Sequence, residues 1–491
     1  MSEQFDLIAI GSGPAGREAA LAAAQAGKRA LVVEYERGIG GACVRYGTIP
    51  SKTLRETAMV LAGLRSKAPG LVNAEVAEDV KLAALMRRLH DVVDAHETTM
   101  TEQLGKMGVV RWHGRASFVS RTELEVLGRR GERRSVRAPT IVIATGSRPR
   151  TPEGVPVDHE HVMDSDSILS MGYLPRSMAV LGGGVIASEY ASIFAALGVS
   201  VTMIDRGERP LGFIDAELVE RFQSTLAAAG ARWCGGTTVR SMTTSALGHV
   251  RLELSNGETI EADKVLCALG RVANVEKLNL AAAGLEVNAR GHIAVGPHCN
   301  TVVPGIYAVG DVAGPPSLAA AGAEQGRRAA RHALGLAEEA EDLIPTGVYT
   351  IPEIASVGLT EAQAREKHGE ILVGRASFAE TTRGMIAGAE DGMLKLVADA
   401  RGERLLGVHA VGESASELVS VGQVAMMAGF GVDRFVRAIF NFPTFVEAYR
   451  VAAIDLRMRR PQKTLAPARK TVAPAPRPSL APELVLALVK A

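Results

Sequence analysis

The chain has 491 residues, with 55 basic and 54 acidic side chains, a net charge of +1 and only 4 cysteines. That charge balance argues against a nucleic-acid or membrane-surface protein, because both need a basic excess. The cysteines, Cys43, Cys234, Cys267 and Cys299, are far apart and have neither metal-ligand spacing nor the density of a secreted disulfide scaffold. The length suggests about three domains. No uninterrupted apolar run is long enough to cross a bilayer. The acidic start, Met1 to Asp6, shows no basic region followed by an apolar one, so the expectation is a cytoplasmic protein.

Leu7-Ile8-Ala9-Ile10 reads as a buried strand. It breaks at Gly11-Ser12-Gly13-Pro14-Ala15-Gly16 and resumes as an Ala-rich helix to Ala26. Gly27 ends that helix, and Ala30 to Glu34 is a second strand closed by an acid. Strand, glycine turn, helix, strand and terminal acid form a dinucleotide-binding fingerprint in its full context. The glycines let the backbone close on a pyrophosphate, and the helix N-terminus offers free N–H groups and a favourable dipole. Glu34 suits a ribose diol, with Tyr35 beside it.

Gly40-Gly41-Ala42-Cys43-Val44-Arg45-Tyr46-Gly47-Thr48-Ile49-Pro50-Ser51-Lys52 follows. It carries one thiol, and the position five residues on is a threonine. From about Glu78 to Met107, apolar side chains recur at helical spacing, predicting one or two long amphipathic helices. Thr140 to Ser147 reads as a buried strand ending in small residues, which lets the backbone approach a ligand closely.

The fingerprint then recurs. Met178 to Leu181 is a strand, Gly182-Gly183-Gly184-Val185-Ile186-Ala187 the turn, and 188–197 a helix ended by Gly198. Val201 to Asp205 is the next strand with its acid. Two such units imply two dinucleotides in one chain. Residues 250–270 alternate like antiparallel strands and end at Gly270-Arg271. Gly305 to Asp311 is a turn, a buried strand and an acid, and 317–334 reads as helix. A further domain of strands and helices runs from about Ile344 to Arg460. The Pro- and Ala-rich stretch 461–491 reads as a flexible tail. His90 and His96 lie on a predicted helix with no third ligand nearby, and His298 falls in a predicted exposed loop.

Taken together, the first glycine turn, the Cys43 to Lys52 segment, the second glycine turn and Gly305 to Asp311 resemble the flavoprotein pyridine nucleotide–disulfide oxidoreductases, from about Phe5 to Arg460. The resemblance implies an α/β protein. It has two Rossmann-like dinucleotide-binding domains, one for FAD and one for NAD(P), plus an α+β C-terminal dimerisation domain that makes a homodimer. The implied division is 1–150 and 271–343 for FAD, 151–270 for NAD(P), and 344–460 for dimerisation.

By the same resemblance, Gly11, Gly13, Pro14, Ala15, Gly16, Glu34 and Tyr35 face the ADP half of FAD. Gly114 and Ala116 match small residues near the adenine, and Thr145, Gly146 and Ser147 the strand end beside the diphosphate. Gly310 and Asp311 match the ribitol-binding acid segment. Gly41, Ala42, Cys43, Thr48, Leu318 and Ala319 fall near the isoalloxazine. Gly182, Gly184, Val185, Ile186 and Ala187 match the NAD(P) pyrophosphate turn, and Gly270-Arg271 its later contact. Lys52 and Glu189 match the family's ion pair beneath flavin N5, where a fixed cation stabilises negative charge on the flavin.

Two departures from the family pattern narrow the chemistry. Thr48 stands where the second cysteine of a C-x4-C redox pair would be, and Phe442, five residues before Glu447, stands where disulfide reductases carry an acid–base histidine. Phenylalanine cannot carry a proton. The pattern is similar to the soluble FAD-dependent pyridine nucleotide transhydrogenase branch, which implies ping-pong hydride exchange between NADPH and NAD+. Asp205 favours a free ribose, hence NAD, whereas Arg206 and Arg209 suit a 2′-phosphate, hence NADP. An NAD(P)H:quinone or dye reductase and a non-catalytic flavoprotein are the competing readings.

Overall fold

The computed structural model describes residues 3–67, 81–246, 248–336 and 343–460. The 461–491 segment read as a tail lies outside them, as does the start of the helical stretch expected from Glu78.

Two five-stranded parallel sheets organise the first two thirds of the chain. In the first, the order is Ile306–Ala308, Thr140–Ile143, Leu7–Ile10, Ala30–Glu34 and Val110–His113. In the second it is Val162–Asp164, Lys264–Cys267, Ser177–Leu181, Ser200–Ile204 and Arg232–Cys234. The central strands are buried throughout, as parallel strands covered on both faces must be. Lys264–Cys267 corrects the expectation for 250–270. Alternation stops at Ala262, the end of a three-stranded antiparallel sheet, and the fully buried strand after it joins the parallel sheet instead.

The chain crosses between the units at Ser147–Pro149 and returns at Arg271–Ala273. These two crossings pair antiparallel, Ser147 opposite Ala273 and Pro149 opposite Arg271. The last third is a five-stranded antiparallel sheet in the order Thr346–Val348, Ile354–Gly358, Leu405–Val411, Met393–Asp399 and Ile371–Ser377. Helices Ala415–Met427 and Glu447–Met458 pack on it around the buried Tyr449.

The helices Gly41–Arg45, Thr48–Lys67 and Ala216–Ala228 went unread in the sequence. Thr48–Lys67 is helical, with Pro50 in its first turn. There the missing proline N–H costs nothing, since first-turn N–H groups lack intrahelical partners anyway. Lys81–Lys106 is a single long helix rather than two. The helix expected at 317–334 is Ala319–Ala333, and Leu318 is extended at its N-cap. His298 also departs from expectation. Its ring stacks on His332 at 4.4 Å, so it is half-buried rather than exposed.

Candidate active site

The repeat seen in the sequence is a repeat in space. Gly11 has φ +106° and Gly182 φ +117°. A Cβ at Gly11 would lie 2.4 Å from the Ala144 carbonyl oxygen, and one at Gly182 would lie 2.6 Å from that of Ala268. Each turn therefore presses its backbone on the end of the neighbouring strand, and only glycine fits. The helices that follow, Pro14–Gln25 and Val185–Ala196, start at Gly13 and Gly184 with no side-chain cap. Their N-terminal N–H groups are left for a ligand, as an anion-binding helix start requires.

The first cradle is closed by the Cys43 stretch. Gly40 N donates to Ser12 Oγ at 2.9 Å, and Ser12 Oγ donates to Glu34 Oε2 at 2.6 Å. Glu34 also accepts from Ser12 N and Glu36 N, both at 2.8 Å, so its carboxylate is held at the strand end. Tyr35 is exposed, with the Arg115 guanidinium 3.8 Å from its ring centroid. Gly114 N donates to the Glu34 carbonyl at 2.8 Å, and Ala116 is buried beside it. On the other side, Gly310 N donates to Gln325 Oε1 at 2.8 Å, which fixes the Gly310–Asp311 turn against helix Ala319–Ala333.

Asp311 joins the two units. Its Oδ2 accepts from Ser147 Oγ at 2.6 Å, and Ser147 Oγ accepts from Arg271 Nε at 2.8 Å. Arg271 also donates to the Ser147 carbonyl at 2.8 Å and to Ser165 Oγ at 3.2 Å. Its Nη1 lies 3.4 Å from Asp166. Burial pushes the Asp166 carboxyl up, against the pull of Arg271. The geometry thus ties Arg271 to the crossing strand and the 165–166 loop, beyond the nucleotide contact expected of it. Thr145 is fixed nearby by Asn274, which it meets through Oγ1 at 2.7 Å and its carbonyl at 2.9 Å.

Lys52 and Glu189, 137 positions apart, meet at 2.6 Å. The Glu189 side chain is 6% exposed and that of Lys52 25%. The other carboxylate oxygen, Oε1, accepts from Tyr349 N at 2.9 Å. Cys43 lies in the short helix Gly41–Arg45, just before the helix Thr48–Lys67 that carries Lys52. Burial pushes that thiol up, while Thr48 and Lys52 oppose the shift. All four cysteines are free. Where a redox pair would hold two sulfurs, this chain holds a thiol and a hydroxyl.

On the second unit, Asp205 Oδ1 accepts from Gly207 N at 2.7 Å at the strand end. Arg206 is exposed and Arg209 half-buried. Phe442 is 64% exposed, whereas Glu447 has a buried Oε2 with no hydrogen-bond partner. Four contributors escaped the sequence reading: Ser12, Gln325, Asn274 and Tyr349. Ser12 lay inside a turn that was already read, but no local pattern marks Gln325 or Asn274.

Two uncapped glycine cradles, a half-buried acid at each strand end and a lysine–carboxylate pair between them suit FAD on the first unit and a nicotinamide dinucleotide on the second. Fold and geometry together define a two-dinucleotide flavoprotein oxidoreductase. Residues 5–326 match the model for pyridine nucleotide-disulphide oxidoreductases, and residues 344–453 match that family's dimerisation domain. The chain belongs to the pyridine nucleotide-disulphide oxidoreductase family.

Among its relatives, a soluble pyridine nucleotide transhydrogenase of Mycobacterium tuberculosis is 42% identical, over 92% of this chain and 97% of the relative. One from Hahella chejuensis is 39% identical over 92% of this chain and 98% of its own. Of solved structures, LpdA of M. tuberculosis superposes with a TM-score of 0.86 at 27% identity, covering 91% of this chain and 99% of that one. The HOCl-induced flavoprotein disulfide reductase RclA of Escherichia coli gives 0.82 at 26% identity, covering 91% and 99%. Among the described residues, no helix is long and apolar enough to cross a membrane.

Proposed function

We propose that this chain is an FAD-dependent NAD(P)+ transhydrogenase, passing hydride from NADPH to NAD+ in a reversible ping-pong cycle without a redox disulfide. FAD, when bound, takes a hydride from one nicotinamide and gives it to the next. The observation that carries the reading is the Lys52–Glu189 pair at 2.6 Å, set on a helix that opens with Thr48 where a redox pair would hold its second sulfur. The groups suited to hydride transfer are assembled, and those for thiol–disulfide exchange are not.

Each residue has a part in this reading. Lys52 supplies a positive charge fixed by Glu189, which stabilises negative charge developing next to it without reorganisation. The glycine turns and helix starts at Pro14 and Val185 bind the two pyrophosphates. Glu34 and Asp205 take the ribose hydroxyls, and Asp311 with Ser147 orients the ribitol. Arg206 and Arg209 hold the 2′-phosphate when the substrate is NADPH. The relatives named soluble pyridine nucleotide transhydrogenases support the assignment, and the matched dimerisation domain supports a homodimer. We place the protein in the cytoplasm.

The test is anaerobic stopped-flow. NADPH reduces the bound flavin, and NAD+ then reoxidises it within the steady-state turnover time. Reoxidation by a quinone but not by NAD+ would replace this reading with a quinone reductase.

A further inference from the structure

The Lys52–Glu189 pair rests on a third group, from the last third of the chain. Tyr349 lies just after strand Thr346–Val348 of the C-terminal sheet. It makes two contacts with the pair by two different chemistries. Its backbone N–H donates to Glu189 Oε1 at 2.9 Å. Its ring centroid lies 4.8 Å from Lys52 Nζ, within cation–π range.

The segment carrying Tyr349 is itself clamped to both helices of the pair. Arg55, on the Lys52 helix, donates to the Thr350 carbonyl at 3.0 Å and meets Glu353 at 3.1 Å. Ile351 N donates to Ser192 Oγ, on the Glu189 helix, at 3.0 Å. The ring is half-buried.

Lys52 has a long side chain with several open rotamers and is a quarter exposed. One carboxylate contact fixes its distance from Glu189 but not its direction. A π face on another side of the ammonium restricts the direction as well, and the Tyr349 N–H stops the carboxylate from rotating.

We propose that Tyr349 is a positioning residue for the flavin-facing lysine: its N–H orients Glu189 and its ring holds the Lys52 ammonium in place. The inference rests on the reading of Lys52 as the cation beneath the flavin. It gives the C-terminal domain a part in the chemistry of the same chain, besides dimerisation.

The test compares Tyr349→Leu with Tyr349→Phe in the holoenzyme. Both keep the backbone N–H, but only phenylalanine keeps the π face. Two quantities are read: the midpoint potential of the bound flavin, by spectroelectrochemical titration, and the rate of flavin reduction by NADPH in single turnover. With leucine the potential becomes more negative and reduction slows about fivefold, the size of one cation–π contact. The KM for NADPH stays within about twofold, since binding and the lysine are separate. Phenylalanine restores both readouts relative to leucine.

If leucine fails to fold, Tyr349→Met makes the same comparison with an unbranched side chain that has no π face. A leucine or methionine variant with wild-type potential and reduction rate, altered only in thermal stability, overturns the proposal. Failure of NAD+ to reoxidise the wild-type flavin would overturn the transhydrogenase reading instead and leave this comparison intact.

Discussion

Arg271 donates through Nε to Ser147 Oγ at 2.8 Å, across the paired crossings that link the two dinucleotide units. Because the Ser147 hydroxyl donates to Asp311 Oδ2 at 2.6 Å, one guanidinium orders the acid of the first unit. The same guanidinium reaches Ser165 and Asp166 of the second unit. Lysine has a point charge and cannot span these partners in a plane. Arg271→Lys is expected to weaken FAD retention about tenfold, roughly 1.4 kcal/mol. Fluorescence of released flavin during dilution measures it, and an unchanged dissociation constant would remove Arg271 from this role.

A second cluster, centred on the buried Lys395, joins the second unit to the C-terminal sheet. The Lys395 side chain, 3% exposed, meets Asp215 at 2.8 Å, Glu361 at 2.7 Å and Glu217 at 3.1 Å. Arg375 adds a contact to Glu217 at 2.9 Å. Removing the lysine leaves the buried Asp215 facing the half-buried Glu217 and Glu361 without the cation that joined them. Lys395→Met is expected to destabilise the fold by about 3–5 kcal/mol, read as a shift in the urea midpoint.

The same cluster sets an acid limit. Although burial raises the carboxyls of Asp215, Glu217 and Glu361, hydrogen bonds from Lys395 and its neighbours more than offset this and hold all three below the usual range. Their contribution is therefore complete above the ordinary carboxylate range, about pH 4–4.5, and is lost as pH falls through the lowered folded values. His409 acts in the same direction, because burial pushes its pKa down. It favours the fold above about pH 6.5 and less as pH falls. Thermal midpoints should decline from pH 7 to pH 4, and the gap between wild type and Lys395→Met should narrow below pH 4. A constant gap would show that the carboxylates do not titrate with folding.

Cys43 is expected to behave as a protected thiol. Burial pushes it up, so it is protonated at neutral pH and alkylates more slowly than a free thiol. Iodoacetamide labelling followed by mass spectrometry checks this. Cys43→Ser should retain most hydride exchange, whereas Lys52→Ala should lose at least about tenfold. Loss of exchange in Cys43→Ser with flavin still bound would make the thiol a participant.

Nicotinamide choice should separate at the second strand end. Replacing Arg206 and Arg209 together by alanine is expected to raise the KM for NADPH about tenfold and that for NAD+ less than twofold. Steady-state kinetics with each nucleotide decides it. An equal effect on both would mean that the two arginines serve general charge rather than the 2′-phosphate.

Much of this architecture was legible in the chain because its signals are local. A strand, a glycine turn and a helix span about two dozen residues, so the cradles at Gly11 and Gly182 could be read directly. Thr48 and Phe442 were legible as departures at fixed positions within motifs. The helix Thr48–Lys67 was hidden because its first turn carries a proline and a chemical motif. The strand Lys264–Cys267 was hidden because an apolar run has no period that separates a parallel strand from an antiparallel one.

By itself, the sequence determined the two glycine-turn units and the one thiol of the Gly40 to Lys52 stretch, since each depends on side chains a few positions apart, while Lys52 was marked by the family resemblance. Only the tertiary structure decided what holds them. Lys52 meets Glu189 across 137 positions, Ser147 meets Asp311 across 164, and Tyr349 reaches Glu189 across 160. Contacts at such separations are set by sheet order and domain packing, which leave no periodicity in the chain to read.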